Sequence, residues 1–274
     1  MMSKLSIADR SAVVHNGTLT IAYADSMPEG GADVNVVLLH GYCGSSAYWE
    51  QLVSKLVHQG TRVIVPDTRG HGSSSAPNES VYTMETLAGD VLALLDVLQL
   101  EQVVLLGHSM GGYTALAFAE QHPSRLRAFG LVHSTGLPDS EAARENRDRT
   151  VQKIEQQGVA TFVEGLVPNL FAPAAPAELV GRAIEIGYGT ASQGAQASAL
   201  GMKERPDRLG VLETSKLPLL LVAGAKDGII PVERTFTTDR AGVSQVLLET
   251  AGHMGMLESP EQLAEGIRNF LATI

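Results

Sequence analysis

"LLGHSMGGYTALAFAEQHP" (Leu105–Pro123) holds a serine, Ser109, between glycines at 107 and 111, with a third glycine at 112. An apolar run precedes the serine, and an alanine-rich stretch with helical spacing follows it. The pattern predicts a buried strand, one tight turn and then a helix. Two readings account for the glycines. Small residues let a helix lie close to a sheet, and they also let a turn push a serine out of the backbone. Gly107-His108-Ser109-Met110-Gly111 fits G-x-S-x-G, a pattern with chemical meaning only between a strand and a helix. Side chains at the flanking positions of such a turn would collide, so glycine is required there.

Working outward, short apolar runs recur at residues 34–41, 62–67, 103–109, 128–134, 217–224 and 244–250. None alternates apolar with polar residues, which suits strands buried on both faces of a parallel sheet. Helical stripes lie between them. Trp49, Leu52, Val53, Leu56 and Val57 form one; Met84, Leu87, Ala88, Val91, Leu94, Leu95 and Leu98 form another. The alternation predicts an α/β fold with a doubly wound, mostly parallel sheet. "AVVHNG" and "TLTIAYAD", joined at Asn16-Gly17, read as an antiparallel hairpin at one edge. Ser259-Pro260-Glu261-Gln262 reads as an N-cap serine, a first-turn proline and a closing capping box.

The alternation stops between Gly136 and Leu212. That stretch opens charged, continues with helical spacing, and contains the proline-rich breaker "FAPAAPAELV" at 171–180. It predicts a cap of about four helices at 136–212, inserted into a core domain built from 1–135 and 213–274.

Composition narrows the function. The chain has 274 residues, 44% of them hydrophobic, and a formal net charge of −10. A nucleic-acid partner would need a basic face, and the charge gives no attraction to an anionic membrane surface. No run is long and apolar enough to span a bilayer, and "MMSKLSIADR" lacks the apolar stretch of a secretory signal, so a cytoplasmic protein is expected. The single cysteine, Cys43, excludes an intrachain disulfide. Neither a metal cluster nor a P-loop is evident, and no cofactor or metal is expected.

A serine hydroxyl attacks well only when a base takes its proton, and histidine does this near neutral pH. His253, in "TAGHMGMLESP", follows the last strand and precedes the final helix, which places it at the same sheet edge as Ser109. His40 and His108 read as local hydrogen-bonding groups and His71 as a loop support. His15, His58, His122 and His133 read as surface or packing residues. Asp227, in "LVAGAKDGIIP", ends the preceding strand and is the expected acceptor for the second ring nitrogen of His253. Asp67 and Asp139 are its rivals. The expected oxyanion donors are the backbone N–H groups of Met110, at a helix N-terminus, and Tyr42, in the loop after "VVLLHG". Cys43 has no evident base.

Five segments, "HGYCG", "DTRGHGSS", "GHSMGG", "GAKDGIIP" and "GHMGMLESP", stand in an order that resembles the α/β-hydrolase fold serine hydrolases, in particular the capped carboxylesterases and lactonases. The resemblance covers nearly the whole chain. It implies an α/β-hydrolase fold and a catalytic set of Ser109, Asp227 and His253, acting on a small-molecule ester through an acyl-enzyme. Haloalkane dehalogenases and epoxide hydrolases carry aspartate where this chain has Ser109. Plant-type hydroxynitrile lyases carry a lysine close to the histidine, where this chain has Met254-Gly255-Met256.

Three functions stay open at this level. The first is hydrolysis of short to medium apolar or aromatic esters, in preference to charged ones. For it, Phe162, Leu166, Leu170, Phe171, Tyr188 and Met202 are expected on the inner face of the cap; they could instead pack the cap against itself. The second is a lactonase or C–C bond hydrolase of a ring-cleavage product. It would need cationic groups aimed at a second carboxylate, and Arg144, Arg147, Arg149, Lys153 and Arg182 read instead as a solvated helix face. The third is a non-catalytic ligand receptor on a hydrolase scaffold.

Overall fold

A computed structural model describes residues 6–57 and 60–274, so His58 and the first five residues of the chain lie outside the described residues. Eight strands form one sheet: β1 (Arg10–Val14), β2 (Leu19–Ser26), β3 (Val34–Leu39), β4 (Thr61–Pro66), β5 (Val103–His108), β6 (Leu126–Val132), β7 (Leu219–Gly224) and β8 (Val243–Leu248). Their order is β1-β2-β4-β3-β5-β6-β7-β8. β1 pairs antiparallel with β2, and β2 antiparallel with β4; every other pairing is parallel. The edge hairpin turns at His15–Gly17, with Asn16 at φ 55°, a left-handed conformation that asparagine tolerates.

The continuous apolar runs follow from this topology. Val36–Leu39, Val63–Val65 and Leu219–Val222 are covered on both faces, so an alternating pattern would have buried polar groups without partners. On one face lie α1 (Glu50–Leu56) and the C-terminal helix; on the other lie α2 (Met84–Val97) and α3 (Met110–Gln121). Four helices follow β6: α4 (Glu141–Leu166), α5 (Ala177–Gly187), α6 (Ser192–Glu204) and α7 (Leu209–Thr214). All four precede β7. The helix path of α4 breaks at Gly158, where φ is 80° and ψ 163°. The proline-rich breaker separates α4 from α5, its last four residues, 177–180, forming the first turn of α5.

After β7 come α8 (Val232–Thr235), α9 (Gly255–Glu258) and α10 (Pro260–Leu271). Leu263, Ala264, Ile267 and Phe270 form the buried face of α10. The capping box expected at its start does not form. Ser259 has φ −140° and ψ 52° and makes no side-chain cap, because α9 runs into α10 with no extended entry segment. Its Oγ instead meets Thr250 Oγ1 at 3.3 Å. The neighbouring Glu258 ties this corner together, accepting from the N–H groups of Ala172 at 2.8 Å, Gly252 at 2.9 Å and Met254 at 3.2 Å. Among the described residues, no helix is long and apolar enough to cross a membrane.

Candidate active site

Ser109 occupies the single residue between β5 and α3, with φ 51° and ψ −112°. A residue with a Cβ pays on the order of 1–3 kcal/mol for such a conformation, and the surrounding structure must impose it. Here the Ser109 N–H donates to the Val132 carbonyl at 3.0 Å. The Ser109 carbonyl accepts from Gly112 N–H at 2.9 Å and Ser134 Oγ at 2.8 Å. The flanking glycines are needed for close approach. A Cβ at Gly107 would lie 2.1 Å from the Gly111 carbonyl oxygen, and one at Gly111 would lie 2.6 Å from that of Leu39. Helix-to-sheet packing and the serine turn therefore have the same cause.

His253 follows β8. Its Nδ1 donates to Asp227 Oδ2 at 2.8 Å, which fixes the proton on Nδ1 and leaves Nε2 as an acceptor. Asp227 Oδ1 accepts from the N–H groups of Ile229 at 2.8 Å and Ile230 at 2.9 Å. A fourth donor reaches the same carboxylate: His133 Nδ1 lies 3.3 Å from Oδ2. Burial alone would favour the neutral acid. The charge of His253 and the hydrogen bonds from His133 and His253 outweigh it and hold Asp227 well below the usual carboxylate range.

The rival aspartates are committed elsewhere. Asp67 accepts from Ser46 N–H at 2.7 Å and Ser73 N–H at 2.8 Å. Asp139 binds two guanidinium groups, Arg147 Nε at 3.0 Å and Arg205 Nη1 at 2.7 Å.

The loop after β3 packs against Ser109: a Cβ at Gly41 would lie 3.3 Å from Ser109 Cβ. This brings Tyr42 beside the serine. Among the described residues, no hydrogen-bond acceptor takes the backbone N–H of Tyr42 or of Met110. Cys43 is fully buried, and burial pushes its thiol up to about 12, so it stays protonated and unreactive at neutral pH.

A cavity of about 90 Å³ is lined by Ser109 and His253 together with Tyr42, Tyr48, His108, Tyr113, Arg147, Leu166, Leu170, Met202 and Ile229. Leu166, Leu170 and Met202, expected on the inner face of the cap, are among the residues that line it. Three other expected wall residues do not line it. Tyr188 is 42% exposed, and its hydroxyl donates to Glu164 at 2.7 Å. It follows the last turn of α5, off the buried face formed by Ala183, Ile186 and Gly187. Phe162 packs edge-on to the Tyr42 ring at 6.0 Å, and Phe171 is buried in the same apolar cluster. Both belong to one buried apolar cluster with Val36 and Leu38 of β3 and Leu52 of α1. The surface of the cavity is mainly apolar, as expected from sequence. It carries three tyrosines and Arg147, whose side chain is 22% exposed.

Arg147 and His133 were the residues that sequence reading missed. Arg147 sits in the charged run "ARENRDRT", where each charge looks solvated. The only available signal was Asp139, one helix-start earlier, as a partner. His133 follows β6, which lies in the sheet between the strands of Ser109 and Asp227. A strand order assigned before the histidines were sorted would have found it. His108 is also closer to the site than expected: its Nε2 donates to the His253 carbonyl at 2.8 Å.

Burial lowers the pKa of His40, His71 (to about 3), His108 and His133. Below about pH 6.5 the unfolded chain takes up protons at these positions more readily than the folded chain does. Stability is therefore complete above that pH and declines as pH falls, by up to about 1.4 kcal/mol per pH unit for each histidine that stays neutral. The depressed Asp227 adds a loss of the same sign below about pH 4. Melting curves should show a clearly lower midpoint at pH 5.0 than at pH 7.5; equal midpoints would contradict this account.

The family described as alpha/beta hydrolase fold matches residues 34–260. The chain belongs to that family. A thermophilic esterase from Thermogutta terrifontis, solved with malate bound, is 32% identical with a TM-score of 0.89, covering 96% of this chain and 98% of the esterase. A Variovorax paradoxus protein assigned as the carbamate hydrolase RutD is 30% identical over 89% of this chain and 94% of its own length. The enol-lactonase of Burkholderia xenovorans LB400, 24% identical with a TM-score of 0.87 and covering 96% of this chain and 100% of its own, shares the fold. The α/β-hydrolase chain described here is a hydrolase by this kinship.

Proposed function

We propose that this hydrolase cleaves carboxylic esters of small molecules through an acyl-enzyme on Ser109. The observation that carries the reading is one arrangement. Ser109 and His253 line one cavity, and His253 Nδ1 is held by a carboxylate saturated with donors. His253 Nε2 takes the Ser109 proton as Oγ attacks the ester carbonyl. The backbone N–H groups of Met110 and Tyr42 receive the negative charge that develops on the carbonyl oxygen. His253 then protonates the leaving alcohol. In the second half, His253 deprotonates a water molecule, which attacks the acyl carbonyl and returns the proton-bearing serine. One ester and one water give one acid and one alcohol. Asp227 keeps the His253 tautomer and stabilises the imidazolium. Residues 136–212 serve as the lid of the site, with Leu166, Leu170 and Met202 as its apolar contacts to substrate. The esterase kinship supports this reading over a carbamate or lactone substrate, since that relative is among the most similar in both sequence and fold.

The test is covalent labelling. A fluorescent alkyl phosphonate should add one adduct to the protein, and peptide mapping should find it on Ser109. Adduct that persists in Ser109→Ala would refute the assignment of the nucleophile.

A further inference from the structure

We propose that Arg147 is a carboxylate-recognising group, and that the site takes esters whose acyl or alcohol part carries a carboxylate. The proposal rests on the ester-hydrolase reading above and specifies its substrate class. Arg147 is the one permanently charged side chain among the residues that line the cavity with Ser109 and His253. Its position is built. Nε is tied to Asp139 Oδ2 at 3.0 Å, and Asp139 is fixed in turn by Arg205 Nη1 at 2.7 Å. Arg205 lies over the Tyr113 ring, 3.9 Å from its centroid, and donates to the Met202 carbonyl at 2.8 Å.

The charge count of this cluster is uneven. Two guanidinium groups share one carboxylate, which leaves one positive charge without a partner. Among the described residues, neither Nη1 nor Nη2 of Arg147 has a hydrogen-bond partner. A guanidinium offers two parallel donors that match a carboxylate. The apolar part of the wall reinforces the attraction: the buried Leu170 and Met202, with the half-buried Leu166, lower the local dielectric. The chain as a whole is strongly acidic, at −10, so this cation is not part of a general basic surface. A ligand anchored at Arg147 by one end presents its other end toward Ser109, which is the geometry that a monoester of a small dicarboxylic acid requires. The cavity of about 90 Å³ restricts such substrates to short chains.

Two shape-matched pairs test this, because an isopropyl group has the outline of a carboxylate. Monoethyl succinate is paired with ethyl 4-methylpentanoate, and 3-acetoxypropanoate with 3-methylbutyl acetate. In at least one pair kcat/KM should favour the charged ester, by roughly 10- to 100-fold, as expected for a charge-assisted hydrogen-bonded pair. Arg147→Gln should erase that ratio, and Arg147→Lys should keep part of it. Arg144→Gln, exposed on the same helix, should leave it unchanged. A preference for the neutral ester in both pairs would overturn the proposal. So would an Arg147→Gln variant that slows both members of a pair equally, since that is the mark of a structural role. Calorimetry of succinate with Ser109→Ala separates this proposal from the catalytic one, because it needs no turnover. Binding that weakens at least tenfold in the Ser109→Ala/Arg147→Gln double variant supports the anion subsite, and absence of binding at millimolar succinate rejects it. Hydrolysis that survives in Ser109→Ala instead rejects the catalytic reading alone.

Discussion

Ser109→Ala is expected to lower kcat on a simple acetate ester by about a million-fold, the loss seen when serine hydrolases of other folds lose their nucleophile. The fold should survive, because the substitution removes one oxygen and leaves the main-chain bonds to Val132, Gly112 and Ser134 in place. Circular dichroism and a melting curve check the second half of the expectation. Residual activity above about one part in a thousand of wild type would place the attacking group elsewhere. Cys43 is not that group, since its thiol is buried and held protonated.

Asp227→Asn should reduce kcat by roughly three to four orders of magnitude at neutral pH. The amide can point an N–H at His253 Nδ1, which then favours the wrong tautomer and puts the proton on Nε2. Charge matters as well, because the ionised acid stabilises the imidazolium formed during attack. Asp67→Asn should act through stability instead, since Asp67 receives the main-chain donors of Ser46 and Ser73. Asp139→Asn loosens Arg147 and Arg205 but leaves His253 untouched. Turnover of ethyl 4-methylpentanoate by the three variants decides between them. If Asp139→Asn is the most damaged, Asp227 is not the partner of the histidine.

What could be read from the sequence depended on the range of the interaction concerned. The strands and the Ser109 turn rest on local rules. A strand covered on both faces must be apolar throughout, and a turn with a carbonyl oxygen 2.1 Å from a would-be Cβ must be glycine. The positions of Asp227 and His253 rest on one step more, that strand ends of a parallel sheet share an edge. Failures began where a side chain's role was set by a partner distant in the chain. Arg147 looks like any arginine of a charged helix until Asp139 and Arg205 hold it over the cavity. His133 has ordinary neighbours in the chain, and its meaning comes from Asp227, 94 residues away. Tyr188 failed in the opposite sense: an aromatic ring counted as apolar found a carboxylate at the surface, and its hydroxyl kept it there. The expected capping box was a local rule overruled by the junction of two helices.

The Glu258 corner has a mechanical meaning. One carboxylate grips the start of the segment that leads into α5, through Ala172, and the loop that carries His253, through Gly252 and Met254. The backbone adds a second rivet, His253 N–H to the Leu170 carbonyl at 2.7 Å. Leu170 is also a wall residue. The histidine loop and the Leu170–Ala172 segment are therefore tied together. Any excursion that lifts Leu170 away from the cavity also drags His253 off its station.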